Sequence, residues 1–264
     1  MCNAGIDRKT FKSLKALTLA NPLIIAALKD EIRGLKSKSA IECTIHFKPA
    51  TFYSARCFDK DFDLLLTGIG AERTKKALDQ ALADRTPSAI LCVGFVGGAS
   101  PVAGLGTLVL GDKIVDEQSE KVFSGDKELL EKAKHLCEGK KWSCKVGGIV
   151  TVDRIVSNPH DKADLGAVHG VIAIDMEAAA VAEAATERQI PFLAVKAILD
   201  PVEMTLPNLQ NCIESTGETS PFLVMEHLMH QPGDVMKLPQ IQYCATQARE
   251  ALAQFLEGWL RQLV

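Results

Sequence analysis

Four acids stand where apolar runs end. Glu31 follows LIIAALKD, Asp175 and Glu177 bracket Met176 in AIDMEAAAVAEAA (173–185), and Asp200 closes FLAVKAILD. Carboxyls converging on one pocket can act as general acid and general base, and the two oxygens of a carboxylate can take both hydroxyls of a vicinal diol. No rival reagent set is legible. There is no GxSxG elbow, HExxH pair or Walker loop, and Gly68-x-Gly70-x-x-Arg73 lacks the last glycine of the dinucleotide fingerprint, which argues against a Rossmann oxidoreductase. Each acid also has a plainer reading. Asp200 suits a turn before Pro201, Glu177 a first helical turn favoured by the helix dipole, and Glu31 a solvated helix face. Met176 alone reads as core.

The elements that would position these acids follow from periodicity. Strand-length apolar runs cover Leu23 to Leu28, Asp63 to Thr67, Ala89 to Phe95, Thr107 to Val115, Val146 to Ile155, Val171 to Ile174 and Pro191 to Leu199. A β pair is expected over Ile41 to Phe47 and Thr51 to Phe58. Helices are expected in KDEIRGLKSKS, in AERTKKALDQALADR, from Asp126 to Glu138, from Glu177 to Gln189 and in a tail from Gln240 to Leu263. A glycine-rich turn follows Phe95. This alternation argues an α/β fold with a central, largely parallel mixed sheet between helices. In such sheets ligands sit outside the carboxyl ends of the strands, where all four acids fall. The glycines at 94, 97 and 98 would let backbone approach a sugar or an anion closely, or would serve a tight turn. His160 and His169 read as surface or capping residues.

Composition sets the outer limits. The chain has 264 residues, 47% of them hydrophobic, with 33 acids against 30 bases. That predicts one globular domain over 23–264, preceded by an extension over 1–22, with 204–264 as a variable helical tail. No basic block suggests nucleic acid, and no unbroken apolar span suggests an integral membrane segment. The eight cysteines form no CxxC pair and lie at no metal-ligand spacing from a histidine. Reduced thiols, a cytoplasmic location and no metal or cofactor are expected.

GIG (68–70), GFVGGASPVAGLGTLVLGD (94–112), GGIVTVDRIV (147–156), AIDMEAAAVAEAA and FLAVKAILDP (192–201) resemble the purine nucleoside phosphorylase and nucleosidase superfamily in order and spacing, most of all its nucleosidase branch. EIR (31–33), VSNPHDKADL (156–165), DPVEMTLP (200–207) and the tail QPGDVMKLPQIQYCATQAREAL are similar to the hopanoid-associated phosphorylase group. The resemblance implies a three-layer phosphorylase-like fold with a helical C-terminal tail, a homodimer, and cleavage of a purine nucleoside with a bulky 5' substituent such as that of adenosylhopane. On it, Asp200 serves the purine N7, Glu177 the ribose hydroxyls and Glu31 the water, while Met176, Gly94, Phe95, Val96, Ile155 and Asp175 contact substrate, Asp175 being the one left as structural in the residue reading.

The departures are also informative. Related phosphorylases carry an arginine and a serine for phosphate where this chain has Cys92 and Phe95, neither able to bind phosphate well through its side chain. Water is therefore favoured as nucleophile. Phosphorolysis, through Arg33, Arg73 or backbone amides, is the alternative, and a non-catalytic nucleoside sensor is the alternative of another class. Ile155 replaces an aromatic that stacks on adenine, Leu199 a polar neighbour of the acid, and Lys196 an arginine, keeping its charge without the fork.

Overall fold

A computed structural model describes residues 21–48, 50–206 and 238–263. Residues 1–20 of the expected extension and the segment 207–237 lie outside the described residues. In chain order the elements are β1 (Leu23–Ala26), α1 (Arg33–Lys36), β2 (Ala40–Phe47), β3 (Ala50–Cys57), β4 (Lys60–Leu66), α2 (Ala71–Ala81), β5 (Ile90–Gly98) and β6 (Leu108–Asp116). They continue as β7 (Val122–Ser124), α3 (Lys127–Lys140), β8 (Cys144–Thr151), α4 (Pro159–His169), β9 (Ala173–Asp175), α5 (Ala178–Glu187), β10 (Phe192–Asp200) and α6 (Leu238–Gln262).

All ten strands join one mixed sheet ordered β10-β6-β8-β9-β5-β1-β4-β3-β2, with β7 on β6. The parallel pairings unite β4, β1, β5 and β10 on one hand and β6, β8 and β9 on the other. Antiparallel joints β10–β6 and β5–β9 connect these groups. Because β10 also pairs with β5, the strands β5, β10, β6, β8 and β9 close into a ring. Beyond it β1 and β4 lead to the antiparallel β3 and β2. Among the described residues each strand of the ring pairs with at least two others, and β2 is left at the open edge of the sheet.

A smaller apolar cluster gathers Ala99, Val115, Val150, Val152, Val171 and Ile174, and two large ones cover the two faces, as three layers require. One holds Leu23, Ile25, Leu65, Cys92 and Ala194 under α2 and the alanines of α5. The other holds Ile24, Leu64, Leu91, Val93 and Val195 under Leu252, Phe255 and Trp259 of α6 and the buried face of α3. Alanine is both a strong helix former and small, so α5 can lie close over β5, β6, β8 and β10. In α2 the buried Thr74, Ala77, Leu78 and Ala81 make the single apolar stripe its sequence spelled.

The structure departs from expectation in three places that matter for the site. Glu31 sits in a turn, not on an amphipathic helix, because its carboxylate accepts hydrogen bonds from the N–H groups of Ala27 (2.9 Å) and Leu28 (2.8 Å) and so holds the chain in a tight reversal after β1. The glycines expected in a turn belong to β5, where Gly97 and Gly98 pair with Ile174 and Ala173. Finally, VSNPHDKADLGAVHG forms α4, which periodicity missed because only Lys162 and Gly166 of it are buried. Its ends carried the signal. Asn158 caps it through the His160 N–H, Pro159 is its first residue, and Gly170 closes it in the left-handed conformation.

Candidate active site

At the carboxyl ends of β1, β5, β9 and β10 lies a cavity of about 210 Å³, lined among others by Glu31, Phe95, Val96, Ile155, Asp175, Met176, Glu177 and Asp200. Glu31, Glu177 and Asp200 are respectively 4, 8 and 4% exposed, so all three carboxyls are buried. Beyond its two bonds within the turn, Glu31 accepts from the Phe95 N–H at 2.9 Å. Three of its roughly four lone-pair sites are thus taken, leaving room for one further donor such as a water. Gly94 lies outside the lining but permits this arrangement: a Cβ there would stand 2.8 Å from Glu31 Oε1 and 3.3 Å from Lys196 Nζ.

Asp175 is used by the protein itself. It accepts from the Thr151 hydroxyl (2.7 Å) and the Ala178 N–H (2.9 Å), and lies 3.0 Å from Lys196 Nζ. Thr151 in turn accepts from the Ala179 N–H at 2.9 Å. This network knots the ends of β8 and β9 to the first turn of α5. That knot aims Glu177 into the cavity, where its Oε1 accepts from the Gly70 N–H at 2.7 Å.

One buried ammonium serves several buried acids. Burial works against the charge on Lys196, yet Cys92 and the carboxylates of Asp175, Glu177 and Glu31 hold its pKa well above the ordinary lysine value. Two of these carboxyls, Glu177 and Glu31, are pushed toward the protonated form by their burial. Burial pushes Glu177 up to about 8 against the pull of Lys196, with Asp175 adding to the rise. Glu31 is raised as well, by burial, with Lys196 and its backbone donors opposing. A neutral Glu177 carboxyl can accept from one hydroxyl and donate to its neighbour, which suits a diol.

Asp200 occupies the far side. Its Oδ2 lies 2.5 Å from Nζ of Lys162, a fully buried lysine on α4, in a close ion pair without an aligned hydrogen bond. Burial pushes Asp200 up to about 6, with the Lys162 ammonium holding it down. Lys162 was not singled out from sequence.

The other sequence candidates lie elsewhere. His160 is exposed and faces Asp164 at 2.8 Å, while His169 ends α4 and its carbonyl accepts from Lys113. Arg33 is exposed beside Asp30, and neither it nor Arg73 lines the cavity. Cys92 is buried beneath the site, its thiol pushed up to about 12 by burial. A second pocket of about 440 Å³ shares Arg154, Ile155, Val156 and Leu206 with the first and adds Ser157, Asn158, Pro159, Asp161, Leu165 and Thr205, a lining of mixed polarity. Arg154 is held there by both oxygens of Glu117, at 2.6 and 2.8 Å.

Fold and site together define an α/β protein with an acid-lined cavity at the carboxyl ends of its strands. The family model of the phosphorylase superfamily matches residues 22–219, and the chain belongs to that superfamily. Among curated proteins it is similar to 5'-methylthioadenosine/S-adenosylhomocysteine nucleosidase of Staphylococcus saprophyticus, 26% identical over 193 residues that cover 67% of this chain and 85% of that protein. Among solved structures it is similar to futalosine hydrolase of Helicobacter pylori (TM-score 0.72, 16% identity, 93% of this chain and 99% of that one). It is also similar to the nucleosidase of Neisseria meningitidis bound to methylthio-immucillin-A (TM-score 0.68, 19% identity, 90% and 99%). Among the described residues no helix is long and apolar enough to cross a membrane.

Proposed function

We propose that this protein is a purine nucleosidase that cleaves the N-glycosidic bond of a purine nucleoside, preferably of adenine, with water as nucleophile. The observation that carries this reading is the convergence of Glu31, Glu177 and Asp200, all buried, on one cavity. As the bond breaks, positive charge grows on the ribose and negative charge on the departing base. Asp200 gives a proton or a strong hydrogen bond to N7 of the base, which its raised pKa favours. Glu177 holds the 2' and 3' hydroxyls. Glu31 orients the attacking water through its remaining lone pair and takes a proton from it as the new bond to C1' forms. The balance is nucleoside plus water to free sugar plus base.

Water over phosphate is supported by the cations at hand. Lys196 faces Asp175, Lys162 faces Asp200 and Arg154 faces Glu117, so each already has an anionic partner. The names of the relatives, nucleosidases and a hydrolase, point the same way. The adjoining pocket, lined by Ile155, Val156, Leu165 and Leu206 together with Arg154, Ser157, Asn158, Asp161 and Thr205, has room for a 5' substituent larger than methylthio. A hopanoid as that substituent is proposed on the resemblance alone. The homodimer, too, is proposed on the resemblance.

Base release measured by chromatography tests the reading, over adenosine, inosine, methylthioadenosine, adenosylhomocysteine and adenosylhopane, each with and without phosphate. Free sugar and base formed without phosphate are expected. Strict phosphate dependence would make the enzyme a phosphorylase, and nucleoside binding without release would make the protein a sensor.

A further inference from the structure

Lys162 is 0% exposed, and three oxygens surround its ammonium. Nζ lies 2.5 Å from Asp200 Oδ2 and donates to the carbonyls of Met204 (2.8 Å) and Pro201 (3.3 Å). A charged amine is costly to bury, and a merely structural position is served as well by an apolar side chain of similar volume. Helix α4 is seated so closely that a Cβ at Gly166 would stand 2.2 Å from the Ala99 carbonyl oxygen. The loop before α4 supplies Arg154, Ile155 and Val156 to the cavity, the segment after β10 supplies Leu206, and the Leu206 N–H donates to the Ser157 carbonyl at 3.1 Å. Lys162 therefore ties the acid to both segments that wall the cavity.

We propose that Lys162 is a positioning residue for Asp200: it holds Oδ2, leaving Oδ1 for the leaving base, and it keeps the carboxyl's ionisation coupled to the closed arrangement of the two walls. The proposal rests on the nucleosidase reading for its kinetic consequence. Among the described residues, the charged or titratable groups that face Asp200 are Lys162 from α4 and the Cys244 thiol from α6. On β5 the neighbour is Gly97, whose added Cβ would be 3.3 Å from Oδ2. Along β10 itself, Lys196 is engaged with Asp175 on the other side of the cavity.

The sign follows from these neighbours. An acid must be protonated to act, so kcat/KM falls as pH rises through the pKa of Asp200. Without the ammonium, burial acts unopposed and that fall moves to higher pH.

The test compares wild type, Lys162→Met and Lys162→Arg by pH profiles of base release and by carbon-13 titration of the Asp200 carboxyl without substrate, assigned with Asp200→Asn. For Lys162→Met the titration and the alkaline limb should both rise by about one pH unit or more, with kcat about tenfold lower and KM little changed. Lys162→Arg should keep the limb near its wild-type position while lowering kcat. A titration and limb unmoved in Lys162→Met would overturn the proposal. Should that variant fail to fold, wild-type kcat and limb in Lys162→Arg would overturn it, and reduced kcat at an unmoved limb would support it. The titration needs no turnover, so a wild type that releases no base would sink the nucleosidase reading while the coupling is still judged on the titration.

Discussion

At the residue scale, the site divides into acids the protein has already satisfied and acids it has left for a ligand. Asp175 is satisfied by a hydroxyl, an N–H and an ammonium, whereas Glu177 has one backbone donor and Asp200 one ion pair and its own backbone N–H. Asp200→Asn cannot deliver a proton, and kcat for base release should drop about 100-fold or more, read in a steady-state assay. Glu177→Gln tests linkage in a different measurement. The folded-state pKa of Glu177 is raised from 4.5 to about 8, so between those values the folded protein binds more protons than the unfolded chain. Its contribution is fully present below the unfolded pKa and is lost as pH rises through the folded one. Denaturant unfolding of the wild type should therefore show stability declining from pH 5 to 8, and the decline should be shallower in Glu177→Gln. An equal slope in both proteins would contradict the assignment.

At the element scale, two glycines fix how closely the site's carriers approach each other. Gly94→Ala places a Cβ against Glu31 Oε1; the carboxylate must move, and base release should fall at least tenfold while the stability loss stays within about 1–3 kcal/mol. Gly166→Ala drives a Cβ into the backbone oxygen of Ala99, which cannot swing away as a side chain can. Helix α4 should be displaced, with a loss of about 2 kcal/mol or more in urea unfolding and a parallel loss of activity, because that helix carries Lys162. These elements also mark what the sequence made legible. Strand-helix alternation was readable because the apolar runs are uninterrupted, and it located Glu31, Glu177 and Asp200 at strand ends before any contact was known. The turn at Glu31 was not readable, since it depends on a side chain capturing its own backbone. Lys162 was hidden for a different reason: no local pattern tells a lysine buried against a distant aspartate from one in solvent. The capping residues Asn158 and Gly170 would have revealed the helix but not the partner.

At the scale of the whole molecule, ligand binding should be visible as stabilisation. A nucleoside analogue that resists cleavage binds the folded state alone, so at 100 times its Kd it should add about 2.7 kcal/mol. The corresponding rise in Tm, followed by differential scanning fluorimetry, should shrink in Glu177→Ala if the diol is held there. The ring of β5, β10, β6, β8 and β9 has a separate consequence, for synthesis on the ribosome. Strand β10, the last in sequence among the described residues, inserts between β5 and β6. Until residue 200 has emerged, β5 and β6 present bare hydrogen-bonding edges, and a nascent chain halted before Phe192 is a template for intermolecular pairing. Because the strand that closes those edges also ends in Asp200, the chain covers them and completes its acid in one event, while β2 stays at the open edge of the sheet.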